Sequence, residues 1–190
     1  MSVDRLAAER AIEAFLRAIG RDPDLEPELR GTAARVTAAY VDELCEGYAK
    51  DPSSVVRPHL VPHPGAGSTA VVALREVTVT TMCPHHLMPA SGVGTIAYAP
   101  RDKLVGLGVM AELLDVLAHR LTLQEEIGER VAEVLAVELG ARWVACRLVL
   151  HHACVSARGE RKHGAVAETV AFVGDARDRS EALALVGERA

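Results

Sequence analysis

Leu6, Ile12, Phe15, Leu16 and Ile19 recur at helical spacing and Gly20 follows them as a stop, so residues 3–19 read as an amphipathic helix. A second helix is expected over about 29–47, with Val36, Ala39, Tyr40 and Leu44 on one stripe and Gly47 near its end. The pattern then breaks. Pro52, Pro58, Pro62, Pro64, Gly65 and Gly67 oppose both a helix interior and a central strand. Residues 51–69 are therefore expected to link a helical N-terminal region, 1–50, to a main domain, 70–190. In that domain, Ala70 to Met82 and Gly92 to Tyr98 carry β-favouring residues on either side of a Pro- and His-containing corner. Met110, Leu113, Leu114 and Leu117 mark a third helix, and Ile127, Val131, Val134 and Leu135, closed by Gly140, mark a fourth nearly continuous with it. Arg142 to Val155 and Ala165 to Val173 read as two further strands, and a short helix follows around Leu183 to Val186. Helices, two strands, two helices and two strands in that order predict an α+β fold with a largely antiparallel sheet.

Composition narrows the function. A chain of 190 residues that is 49% hydrophobic can bury a core unaided, and its 25% charged fraction argues against disorder. The longest apolar run, Leu104 to Ala111, contains two glycines and falls far short of the ~18 residues a membrane-spanning helix needs. Asp4, Arg5, Glu9 and Arg10 interrupt any secretory signal, so the expected location is the cytoplasm. A net charge of −5 and six aromatic residues provide neither a basic footprint nor stacking platforms for a nucleic acid polymer. Single nucleotides remain compatible partners.

Four cysteines at positions 45, 83, 146 and 154 are, in a cytosolic chain, core residues, metal ligands or reactive thiols rather than a disulfide framework. Cys45 and Cys146 lie among apolar residues and read as core. Cys83-Pro84-His85-His86 places a thiol and an imidazole at Cys-x-x-His spacing. His151-His152-Ala153-Cys154 falls late in an expected strand, where alternation sets His152 and Cys154 on the face of Leu148 and Leu150 and turns His151 away. Jointly the clusters point to zinc: two Cys and one His would leave a fourth position open, as in catalytic sites, and the remaining imidazoles could move protons. Thr122-Leu123-Gln124-Glu125 fits a capping box at the start of the fourth helix, which makes Glu125 either a cap partner or a ligand. Gly106-Leu-Gly108 could present backbone N–H groups to a phosphate, although a glycine pair is a short signal.

In order, Cys83-Pro-His85-His86, Leu104-Val-Gly-Leu-Gly108, Arg120-Leu-Thr-Leu-Gln124-Glu125, His152-Ala-Cys154 and Arg158-Gly resemble the motif series of GTP cyclohydrolase I over residues 30–173. The resemblance implies a tunnelling fold, with an antiparallel sheet, two helices packed on it and additional N-terminal helices. It also implies a homo-oligomer, usually a decamer, with active sites between subunits. Carried over by position, it makes Cys83, His86 and Cys154 ligands of a Zn2+ ion and His85 and His152 proton-transfer residues. Gln124 and Glu125 become readers of the guanine edge, and the implied substrate is a purine nucleotide or related purine. Arg35, Arg158, Arg161 and Gly108 fall at positions that face the phosphates.

The chain also departs from that pattern. Pro84 stands where the family usually has Glu, and Gly108, Val109 and Glu112 replace a Ser, a Lys and an Arg. Ala38 stands where a Lys is usual, so three cations are missing, one of them exchanged for an acid; Lys162 and His163 are extra basic residues near Arg161. Burying a triphosphate without paired cations is costly, so a weakened phosphate grip is expected beside intact zinc and base-recognition motifs.

Overall fold

The computed structural model describes residues 3–65 and 70–187, so residues 66–69 of the expected linker lie outside it. The chain divides after Glu46 into two compact units.

In the first unit, α1 (Arg5–Ala18) begins where the Asp4 carboxylate accepts from the Ala7 N–H, within two residues of the expected start. Its apolar stripe leaves Leu6, Phe15 and Ile19 exposed. The helix expected over 29–47 is shorter and changes geometry. α2 (Thr32–Ala38) starts after Gly31, whose φ of 72° suits glycine, and continues as a π-helical stretch over Ala39–Leu44.

The second unit begins with structure where a linker was expected. Asp51 caps α3 (Pro52–Val56) by accepting from the Ser54 N–H at 3.0 Å, and Pro52 occupies the first turn, where its missing N–H is no loss. Val55 and Val56 are buried in the core. β1 (Leu60–Pro62) then pairs with β4 (Lys103–Val105), so residues 52–62 belong to the folded unit rather than to a spacer.

The main sheet contains β2 (Val72–Met82), β3 (Pro89–Ala99), β5 (Trp143–His152) and β6 (Ala167–Gly174), antiparallel throughout in the order β2-β3-β5-β6. α4 (Leu107–Ala118) packs on β2, and α5 (Gln124–Leu139) packs on β5 and β6. Cys146, Leu148 and Leu150 alternate along β5 and meet Leu113, Leu114, Ile127, Val131 and Leu135, all essentially unexposed. Gly94 permits this approach, since a Cβ there would lie 2.9 Å from Leu114 Cδ2. α5 ends at Gly140, whose φ of 62° provides the left-handed cap foreseen from the sequence.

On the opposite face, Ala97, Ala145 and Trp143 pack under Ala182 and Val186 of α7 (Arg179–Gly187), a longer helix than expected. The architecture is the expected α+β arrangement of an antiparallel sheet carrying two helices on one face. No helix among the described residues is long and apolar enough to cross a membrane.

Candidate active site and metal centre

The site forms where β2 and β5 end at one edge of the ladder. Thr81 pairs with Ala90 and Ala90 with His152, so the turn after β2 and the end of β5 stand at the same level two strands apart. In that turn the Leu87 N–H donates to Cys83 O at 2.9 Å and the Cys83 N–H donates to Met88 O at 3.0 Å. Pro84 sits inside the loop, where its fixed φ restrains the backbone carrying Cys83 and His86.

Cys154 arrives by another route than expected. β5 ends at His152 and the chain turns helical as α6 (Ala153–Ser156), with the Ala157 N–H donating to Ala153 O at 2.8 Å. Strand alternation therefore stops one residue short of Ala153, and Cys154 enters from a helical turn rather than from the face of Leu148 and Leu150. The ligand atoms of Cys83, His86 and Cys154 nonetheless lie within 4.8 Å of one another.

This donor set fits zinc. Zinc–sulfur and zinc–nitrogen bonds of ~2.3 and ~2.1 Å in a tetrahedron imply an S···N edge of ~3.6 Å. Cys83 Sγ lies 3.6 Å from His86 Nδ1. Two sulfurs and an imidazole suit zinc rather than Mg2+ or Ca2+, which favour oxygen. Burial and the neighbouring Cys83 sulfur raise the Cys154 thiol above its ordinary value, while the Arg158 guanidinium acts in the opposite direction. A cation held between the two sulfurs would favour their ionised forms and offset the repulsion between them. Cys146, by contrast, is sealed in the core and pushed up to about 12 by burial, as its apolar neighbours predicted. The exposed His85 ring stands 6.2 Å from that of His86.

His152 Nε2 lies 2.8 Å from Gln124 Oε1. Gln124 is only 4% exposed, and its Nε2 faces Leu148 O at 3.1 Å, Ala167 O at 3.0 Å and Thr169 Oγ1 at 3.2 Å. Expected to read a base edge, Gln124 instead commits its amide protons within the chain. Burial holds His152 below the usual imidazole range, and the nearby Glu125 carboxylate opposes that shift.

The helix cap lies one residue further along than the sequence suggested. Glu126, not Glu125, accepts from Thr122 Oγ1 at 2.9 Å and from the Leu123 N–H at 3.4 Å. Glu125 is exposed in the first turn of α5 and takes no part in the cap.

The expected phosphate-facing residues lie on separate segments of the chain. Arg158 is exposed near Cys154, and Arg161 follows in a turn at φ 50°. Gly108 lies in the first turn of α4, with no heavy atom within 4 Å of where a Cβ would be. Arg35 belongs to the first unit, where it donates to Thr32 Oγ1 at 3.1 Å. Glu112 accepts from Lys50 Nζ at 3.2 Å. Sequence reasoning missed Lys50 as the partner of Glu112 and Thr169 as a partner of Gln124; both pairs are remote in sequence, and no local periodicity signals them.

Comparison with known proteins gives a consistent result. The family model described as GTP cyclohydrolase I matches residues 8–187. A GTP cyclohydrolase 1 of Leifsonia xyli subsp. xyli is 35% identical over 187 residues, covering 97% of this chain and 96% of that protein. One of Corynebacterium glutamicum is 38% identical over 189 residues, covering 96% and 93%. A crystal structure of the archaeosine synthase QueF-Like in the apo form matches 57% of this chain and 97% of its own at 18% identity, with a TM-score of 0.46. Because the family model and these relatives extend over almost the whole length in which the Cys83, His86 and Cys154 donors converge, the chain belongs to the GTP cyclohydrolase I family of hydrolases.

Proposed function

We propose that this protein is a zinc-dependent hydrolase that opens the imidazole ring of a guanine nucleotide, converting GTP and water to formate and 7,8-dihydroneopterin triphosphate. The observation that carries the reading is a compact Cys83–His86–Cys154 donor set beside a separate imidazole, His152, whose ring is held by Gln124 rather than consumed as a fourth ligand. A structural zinc site needs no such spare group.

Cys83, His86 and Cys154 would hold the ion. Zinc bound there supplies Lewis-acid chemistry that makes water a competent nucleophile near neutral pH. His152 transfers a proton to the imidazole ring of the purine, which favours attack at C8 and then opening of the ring. His85, exposed beside the donor turn, serves as the second proton-transfer group. Glu125 accepts hydrogen bonds from the ring N–H and exocyclic amine of guanine, a role compatible with its absence from the helix cap. Arg158, Arg161 and the Gly108 backbone are assigned to the phosphates, and the family resemblance adds Arg35 to that role. The active form is a homo-oligomer, as the family resemblance implies, and its proposed location is the cytoplasm.

A second reading is the same ring opening on a purine with fewer phosphates. The Lys50–Glu112 ion pair favours it, because a carboxylate with its own cation partner stands where relatives of this pattern usually present an arginine. Formate release by zinc-loaded protein from GTP, GMP, guanosine and guanine tests both. Release from GTP with at least a 1000-fold higher kcat/KM than from guanosine supports the first reading. Comparable values support the second, and no formate from any substrate overturns both in favour of a non-catalytic purine- or pterin-binding module.

A further inference from the structure

We infer that Gln124 is a positioning residue that fixes the tautomer of His152, so that Nδ1 is the nitrogen through which His152 exchanges protons. This inference rests on the proposed role of His152 in ring opening.

The argument is one of donors and acceptors. A glutamine side chain has two N–H donors on Nε2 and only acceptor capacity on Oε1. Around Gln124, Leu148 O and Ala167 O lie 3.1 and 3.0 Å from Nε2, and both are acceptors only. Exchanging the amide ends would set Oε1 against those carbonyl oxygens with no proton between them, so that the oxygens repel and the amide protons lose their acceptors. The orientation is therefore set by the strand backbone: Nε2 faces β5 and β6, and Oε1 faces His152. Since Oε1 cannot donate, His152 Nε2 at 2.8 Å must carry the proton. That holds for the neutral ring and for the charged one. Nδ1 is then the only ring nitrogen left to take or give a proton.

The same geometry explains a buried amide. Gln124 is 4% exposed at the first position of α5, and it joins the backbones of two neighbouring strands to the imidazole at the end of one of them. A residue that read the base would need its amide directed to the ligand. Gln124 directs it at Leu148 and Ala167.

The test combines spectroscopy with kinetics on the zinc-loaded full chain. Imidazole 15N NMR of His152, assigned by difference from a His152→Gln variant, should show a protonated Nε2 and an unprotonated Nδ1 in the neutral ring. The opposite tautomer in the wild-type protein would overturn the inference, whether or not the protein releases formate. In Gln124→Met the tautomer preference should be lost, with kcat for formate release falling roughly 10- to 100-fold and KM moving less than about threefold. Gln124→Glu keeps an acceptor toward His152 and should retain the Nε2–H tautomer. A variant set in which KM rises and kcat holds would return Gln124 to base recognition. If the wild-type protein releases no formate, the reaction assigned above fails, while the NMR arm still decides the tautomer.

Discussion

The two ends of β5 share one ladder and one strand geometry, yet they are finished differently. At the Trp143 end two donors share one local acceptor: Trp143 Nε1 and Arg142 Nη2 both donate to Glu181 Oε2, at 3.3 and 2.6 Å, and Trp143 itself is fully buried under α7. At the His152 end two sulfurs and an imidazole stand within 4.8 Å of one another, an arrangement that could hold a metal ion. One end is a core that closes on itself. The other gathers donors whose chemistry suits a metal ion, and natural sequences break local consistency mainly where function requires it.

The contrast gives its largest test at the open end. Cys154→Ser should abolish formate release and remove most of the zinc, while metal-free protein unfolds within about 1 kcal/mol of wild type, because Cys154 contributes nothing to the apolar core. Full zinc occupancy in that variant, measured by metal analysis, would overturn the donor assignment. The closed end should behave conversely. Trp143→Ala removes a side chain with 0% exposure and should destabilise the fold by about 3–5 kcal/mol in denaturant titration, with zinc per folded chain unchanged. Zinc loss from the protein that remains folded would show that the two ends are energetically coupled through the strand.

The apolar face of β5 between the two ends was the more legible part of the sequence. Period-two alternation set Leu148 and Leu150 on one face, apolar neighbours marked Cys146 as core, and helical spacing found Met110 to Leu117 and Ile127 to Leu135; these signals reflect burial, which acts on every residue of an element. The open end turned on single backbone decisions. Ala153-Cys154-Val155-Ser156 contains no helix punctuation, so the departure from strand after His152 left no mark, and the cap shifted from Glu125 to Glu126 by one residue within a run of two glutamates. The stretch from Asp51 was misread for a different reason. Proline was counted as a breaker, although Pro52 directly after Asp51 is also the signature of a capped helix start. Cys83 and His86 stood out as candidate ligands because Cys-x-x-His spacing is local, and Cys154 joined them through the family resemblance; Gln124 as the partner of His152 was not legible, because it depends on contacts 24 and 28 residues apart.

The smallest effect expected is the one that best separates the two ends. Glu181 accepts from both Arg142 and Trp143, but its side chain is 51% exposed and that of Arg142 is 35% exposed. Ion pairs at such exposure contribute roughly 0.2–1 kcal/mol, and truncating the half-exposed Glu181 side chain opens the space in which water can take its place beside the indole N–H of the otherwise buried Trp143. Glu181→Ala should therefore cost about 1 kcal/mol, well below Trp143→Ala. Glu181→Gln, which keeps an oxygen for both donors and removes only the charge, should cost less still, and the difference between the two should shrink at high salt. Both variants should bind zinc and release formate at the wild-type rate. A loss above about 3 kcal/mol in Glu181→Ala would mean that the indole hydrogen bond, rather than apolar burial, holds α7 on the sheet. A fall in kcat would mean that α7 reaches the chemistry at the far end of β5.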